Sequence, residues 1–446
     1  MDIRDLIFGP IFLAIIYFIA YRIRNKYYEH SAIRKYFIPG LSVKLLGAIC
    51  AGLVYEFYYG GGDTFAFFQG TQIIWDAMVD SPITGFQLLT AEAGEFNPRT
   101  YPYASQMYFY FDSLSYFVVK IATVVSFLCF DSYIAIAMIF ACVSFSGAWA
   151  LYRTLLRIYP EVHRNLAIAI LFIPSVFFWG SGLFKDTITF AALSWLTYAC
   201  YHFFIRRDRL ISSVIIMGIC VYLIVNIKVY IIMCFVTGLV IWLFLTYRKR
   251  LDNQFLKILF TPVLIVIAGG FSYLAIQQVG DEFEKYSFEK IIETAADVQW
   301  WHTVVTEKEG GSVYSLGEYD PTLIGILKKI PLALNVTLFR PYIFEAKNIV
   351  MLFSAIESLV LLLFTIYIVI KARIFKIFTI TAAHPEIFFC MIFALIFAFA
   401  VGFTSYNFGA LVRYKIPCLP FYVAGLMLIN HHLNRFRKLA EFEETL

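Results

Sequence analysis

Apolar runs long enough to cross a bilayer constrain this chain more than any other feature. They lie near residues 4–21, 41–58, 132–152, 165–181, 187–205, 210–227, 229–247, 256–276, 348–370, 387–404 and 414–430. A helix needs roughly 18–20 apolar residues to span the hydrocarbon. Lipid offers the backbone no hydrogen bonds, so a span is either a helix or a strand of a closed barrel. Barrel strands alternate in polarity over about 10 residues, whereas these runs are continuous. The expected fold is therefore all-α and polytopic, with about 11 spans. Composition agrees: the chain is 61% hydrophobic and 15% charged, where a soluble domain is about half apolar and a quarter charged.

Lysine and arginine clusters give the expected orientation, because positive loops stay in the cytoplasm. Arg22 to Lys26, Arg153 to Arg164, Arg206 to Arg209, Arg248 to Arg250, Lys371 to Lys376 and Arg435 to Lys438 form the set. Eleven spans satisfy all of them, with the N-terminus outside and the C-terminus inside. Residues 113–130 are apolar enough to add a span, but Lys120 sits in their middle. A charge in lipid is costly, so this stretch reads as a helix on the outer surface or a re-entrant one. The first run ends in Arg22-Ile23-Arg24-Asn25-Lys26 without a small-residue cleavage site, and reads as a retained span. The net charge of +5 is spread over loops, which is a topology signal and excludes nucleic acid as the expected partner. The eight cysteines lie in or beside apolar runs without a CxxC pair, as small buried hydrophobes do.

The chain reads as a single transmembrane domain, 1–446, with two long extracytoplasmic loops. The first, 59–131, carries Asp63, Asp76, Asp80, Glu92, Glu95 and Arg99 on amphipathic segments suited to interfacial helices. The second, 277–347, carries Trp300-Trp301-His302, Gly310-Gly311 and Arg340-Pro341. No internal repeat is visible.

Candidate chemistry starts at Asp63, in Tyr58-Tyr59-Gly60-Gly61-Gly62-Asp63-Thr64. A carboxylate where a span leaves the bilayer can act as a general base toward a hydroxyl. Its alternative is a cap for a helix starting at Thr64. Lys185 and Asp186 follow a turn, Trp179-Gly180-Ser181-Gly182, and open the next span. Lys185 suits a phosphate and Asp186 a cap or a sugar hydroxyl; an internal ion pair is the alternative. Lys228, Arg340, Arg413 and Lys415 are cations on the expected outer side. Their shared reason to be there is an anionic ligand, most simply a lipid phosphate. Snorkelling to headgroups, or pairing with Glu345 and Glu357, is the alternative. His302, beside two tryptophans, is a candidate proton relay next to a sugar-stacking surface. No HExxH, DxD, P-loop or GxSxG motif is present.

In this order the elements resemble the GT-C class of integral-membrane glycosyltransferases, which use polyprenyl-phosphate-linked sugars. The resemblance rests on Asp63 in the first long outer loop, on Pro174 to Asp186, and on Arg413-Tyr414-Lys415-Ile416-Pro417-Cys418-Leu419-Pro420 before the last span. Two features depart from the class: a span precedes the acid's span, and the nearest second acid is Asp76. The Asn407-Phe408-Gly409 to Arg413-Tyr414 ending is also similar to O-antigen and exopolysaccharide polymerases. The resemblance implies an inverting sugar transfer at the extracytoplasmic face of a bacterial inner (cytoplasmic) membrane. Asp63 would be the base, and Lys185, Asp186, Lys228, Arg340, Arg413, Lys415 and His302 would bind substrate or lipid phosphate. The implied partners are the lipid-linked sugar or oligosaccharide, a glycan or lipid acceptor, and membrane lipids. No cofactor is expected, and a divalent metal has no support in the motifs. A lipid-linked glycan flippase is the competing class; it would respond to Glu357 rather than to Asp63.

Overall fold

Polar caps and prolines set where the apolar runs become helices. In the computed structural model, residues 2–250, 313–317 and 322–443 are described. In chain order the helices are α1 Ile3–Tyr28, α2 Arg34–Leu53, α3 Asp63–Asp80, α4 Pro82–Thr90, α5 Tyr101–Ala104, α6 Ser113–Cys129, α7 Tyr133–Ile158, α8 His163–Leu171 and α9 Pro174–Trp179. Then come α10 Lys185–Cys200, α11 Leu210–Arg250, α12 Leu323–Lys328, α13 Ile330–Phe339, α14 Ile349–Ala383, α15 Pro385–Thr404, α16 Phe408–Tyr414 and α17 Leu419–Glu443. Among the described residues the only β feature is an isolated bridge, Val313 to Asn407.

Seven of the described helices are long and apolar enough to cross a membrane, or eight if the bent pair α16 and α17 forms one span. The chain is a multi-pass helical membrane protein. The expected 165–181 span is not one helix. Pro174 lacks an amide hydrogen and its ring disfavours a helical residue before it. Ile173 is accordingly extended (φ −73°, ψ 123°), and the run divides into α8 and α9. The runs 210–227 and 229–247 are parts of α11, which loses helical backbone at Lys228 (φ −152°, ψ 79°). The expected span 256–276 lies outside the described residues. Within residues 113–130, Ser113–Cys129 form α6, an apolar helix of 17 residues.

Two compact units are present. Unit 1 comprises Met1–Ile158, Leu171–Tyr201 and Arg209–Lys228. Its core brings α3 and α6 against α7 through Phe67, Ile74, Tyr116, Val119, Tyr133 and Phe140. At one end of the unit the α1 start meets the α6–α7 junction: Arg4 bonds Asp131, and Asp5 Oδ1 accepts from the Ser132 hydroxyl at 2.8 Å and the Ile134 amide at 3.0 Å. The α3 start joins the same end, where the Thr64 and Tyr133 hydroxyls are 2.8 Å apart. At the opposite end the Trp149 indole donates to the Tyr28 hydroxyl at 2.8 Å, and Arg209 donates to the Tyr198 hydroxyl at 2.7 Å. Arg22, Arg24, Lys26, Arg34, Lys35, Arg153 and Arg157 belong to the helix turns at that end.

Unit 2 comprises Tyr159–Ile170, His202–Asp208 and Val229–Leu446. Here α15 packs between α13 and α17. The Thr337 hydroxyl donates to Ala398 O at 2.7 Å. Trp242 stacks on Phe389 at 4.6 Å, and Phe393 meets Phe421 edge-on at 4.8 Å.

Candidate functional site

The turn that carries Asp63 needs its glycines. After α2, Val54–Tyr58 continues as a π-helical turn. Gly60, Gly61 and Gly62 then take φ of 68°, 137° and 131°, a region that side chains with a Cβ rarely adopt. A Cβ at Gly62 would fall 2.5 Å from the Tyr55 ring, and the Gly61 amide donates to Tyr55 O at 2.9 Å. Gly62 is the N-cap of α3, so Asp63 is its first helical residue rather than its cap. The carboxylate is half-buried and lies where the helix dipole favours negative charge.

Lys44 shapes the second turn. Its Nζ is buried in α2 and donates to Ser144 Oγ at 2.9 Å, Val176 O at 2.8 Å and Gly180 O at 3.0 Å. A Cβ at Gly47, one turn further on, would sit 2.0 Å from Phe177 O, so α2 and the α9 backbone are in direct contact. The Tyr55 ring meets Phe184 at 5.6 Å and Trp179 at 6.0 Å. It thereby joins the Asp63 turn to the turn that delivers Lys185 and Asp186.

Two ion pairs follow, both inside unit 1. Lys185 Nζ lies 3.2 Å from Asp112 Oδ2, and this pair is open: the side chains are 21% and 48% exposed. Asp112 also caps α6 through Leu114 N and accepts from the Ser115 hydroxyl. Partial burial works against its carboxylate, but the Ser115 hydroxyl and the Lys185 ammonium outweigh it and hold its pKa below the usual value. The second pair, Lys228 Nζ to Asp186 Oδ1 at 2.5 Å, is closed, with side chains 9% and 4% exposed. Asp63, Lys185, Asp186 and Lys228 thus lie at one end of unit 1, opposite the arginine-rich end. The internal ion pair expected as the alternative for Lys185 and Asp186 is not the one found; each pairs with a residue distant in sequence.

The remaining cations belong to unit 2. Arg340 pairs with Glu345, its Nε lying 3.1 and 3.0 Å from the two carboxylate oxygens. Its guanidinium also stands 5.0 Å over the Phe408 ring. Burial raises the Glu345 pKa, but Arg340 and the Tyr342 amide outweigh it and set it below the usual carboxylate value. This is the pairing with Glu345 named as the alternative for Arg340. Lys415 is buried; it donates to Ser358 Oγ at 3.2 Å, and that hydroxyl donates to Arg340 O at 3.1 Å. Arg413, in the last turn of α16, is half-buried. His302 and its tryptophans lie outside the described residues.

Sequence reasoning passed over Lys44, although a lone cation inside an apolar run was a signal. It also passed over Asp112, which looks like one more loop acid until the fold brings it to Lys185. A polar group in unit 2 went unseen too: the Tyr159 hydroxyl bonds Glu386 and lies 3.2 Å from His384 Nδ1, whose ring stacks on His432 at 3.9 Å. Among the described residues, no three His, Cys, Asp or Glu side chains are grouped to hold a metal ion.

Comparison with known proteins finds no match: no family model, no curated protein and no solved structure is similar to this chain.

Proposed function

We propose that the chain is a membrane glycosyltransferase that moves a sugar from a polyprenyl-phosphate-linked donor to an acceptor hydroxyl at the extracytoplasmic face. The carrying observation is the Asp63 turn. A half-buried carboxylate is fixed by three left-handed glycines at the end of a span, at the same end of unit 1 as an accessible lysine and opposite the basic end. By the positive-inside rule the basic end faces the cytoplasm, which turns Asp63 outward.

In this reading the Asp63 carboxylate takes the acceptor proton as the acceptor oxygen attacks the anomeric carbon. The bond from that carbon to the carrier phosphate breaks, and the phosphate leaves with the electron pair. Lys185 is the cation best suited to meet it, because its partner Asp112 is half-exposed and returns to water easily. Exchanging one anion for another at Lys185 strengthens the contact as charge develops on the leaving group. Lys228 and Asp186 are closed on each other and act by holding the α10 start. Repeat-unit polymerisation would use the same steps with a longer acceptor.

The test is transfer from a labelled polyprenyl-phosphate sugar in membranes. Asp63→Asn is expected to lower transfer by roughly 10²–10⁴-fold, the usual worth of a general base, while carrier-lipid binding survives. Wild-type transfer by that variant would end the proposal.

A second reading, transport of a lipid-linked glycan, is favoured by the broken helices: the loss of helix at Lys228 and the 64° bend between α16 and α17. Transporters commonly bind substrate at such breaks. Glu357→Gln would then impair transport, and Asp63→Asn would not.

A further inference from the structure

A groove of about 650 Å³ opens at the arginine-rich end of unit 1, where α1 hands over to α2. Arg24, Ser31, Ala32, Arg34, Lys35, Ile38 and Pro39 line it. Its polar residues are remote from Asp63 and from the pairs around Lys185, which occupy the opposite end of the unit.

The charges in this groove are held together against their mutual repulsion. Asn25 Oδ1 accepts from Arg24 Nε at 3.1 Å, from Arg24 Nη2 at 2.9 Å and from Arg34 Nη2 at 3.1 Å. One amide oxygen thus gathers two guanidinium groups where a carboxylate would neutralise them. Arg34 Nη1 reaches a second neutral oxygen, Glu29 O, at 3.4 Å. Among the described residues, no carboxylate forms an ion pair with Arg24, Arg34 or Lys35. The Arg24 guanidinium lies 4.6 Å over the Tyr21 ring and Lys35 Nζ lies 5.1 Å from the centre of the Tyr36 ring, contacts that orient these groups without cancelling their charge. Three positive charges therefore line one groove, and among the described residues no carboxylate is paired with them.

Position names the ligand. Arg24 is in the closing turns of one span and Arg34 opens the next, so the groove sits where headgroups lie. Ile38 and Pro39 extend its wall along α2 toward the apolar part of the span. Basic pockets between spans at this level suit anionic phospholipid headgroups, and paired guanidiniums grip phosphate oxygens through parallel hydrogen bonds. We propose that the Arg24–Arg34–Lys35 groove binds the phosphate of an anionic phospholipid, as a site separate from the Asp63 end.

The test uses the full-length protein in nanodiscs of phosphatidylcholine with a minor fraction of phosphatidylglycerol, followed by native mass spectrometry of retained lipid. The wild type is expected to keep phosphatidylglycerol in preference to phosphatidylcholine. R24Q and R34Q are each expected to reduce that preference about fivefold, the worth of one cation at an anionic surface. Because these residues also help fix orientation, the R24K/R34K variant serves as the control that keeps charge and loses the guanidinium fork. It is expected to insert normally and still show reduced retention. Equal retention of both lipids by the wild type, or unchanged preference in R24Q, R34Q and R24K/R34K, would overturn the site. Release of bound lipid by millimolar inorganic phosphate would overturn the lipid assignment and leave free phosphate as the ligand.

Discussion

Lys228 and Asp186 form a closed ion pair across 42 residues of chain, at the one position where α11 gives up helical backbone. No proline or glycine stands there to break the helix; the residue at the break is the one whose ammonium reaches α10. Removing one partner takes the salt bridge away from a charge that stays buried; breaking a buried pair in this way costs about 3–5 kcal/mol, whereas replacing both with apolar residues is often neutral. Asp186→Asn and Lys228→Met are each expected to lower the melting temperature in detergent well below that of the double variant D186L/K228M. Equal melting of the single and double variants would contradict the pairing.

The glycine turn before Asp63 makes a graded prediction. Gly62 has φ 131° and ψ −170°, a region open almost only to glycine, and holding another residue there costs about 1–3 kcal/mol. Its added Cβ would also meet the Tyr55 ring. Gly60 has φ 68° and nothing within 4 Å of its Cβ position, and asparagine tolerates that backbone. G60N is expected to keep both fold and transfer. G62A should lose transfer even where the protein still purifies as a monodisperse peak. Equal activity of the two would show that the turn does not position Asp63.

The long helices were legible because lipid leaves an apolar run no other backbone solution, and the glycine run at 60–62 signalled an unusual turn directly. What the sequence did not show was pairing. Lys185 and Asp186 are neighbours that invite a local ion pair, yet Asp112 and Lys228 claim them, at 73 and 42 residues' distance. Arg340 is the exception: it read as a phosphate ligand with pairing to Glu345 as the alternative, and Glu345, five residues on, is its partner. The break at Pro174 was readable as a span end, but hydropathy alone counted residues 165–181 as continuous.

Asp112 gives a pH prediction. Its folded pKa lies below the usual carboxylate value because, although burial opposes the charge, the Ser115 hydroxyl and the Lys185 ammonium together favour it more. A depressed folded pKa means the unfolded chain binds the proton more readily. The pair's stabilisation is therefore fully present above about pH 4 and is lost as pH falls through the lower folded value. Melting curves between pH 2 and 6 are expected to show an acid limb that D112N flattens. An identical acid limb in wild type and D112N would remove Asp112 from this account.

Lys44 gives the last prediction. Its Nζ holds the backbone of the α9 turn through Val176 O and Gly180 O, and the Ser144 hydroxyl also donates to Gly180 O at 2.5 Å. Met at this position would fill much of the space but donate nothing. Gly180 O would keep its bond from Ser144, and Val176 O would lose its bond from Nζ. A buried acceptor left dry costs about 1–3 kcal/mol. K44M should therefore melt lower by that order and deliver Lys185 less firmly, lowering transfer without changing orientation in the membrane. Each single variant leaves Gly180 O one donor, from Ser144 in K44M and from Lys44 in S144A, whereas K44M/S144A strips it of both, so the double variant is expected to depart from the sum of its parts, as coupled neighbours do. Strict additivity, measured by the same melts, would mean that Lys44 does not organise this turn.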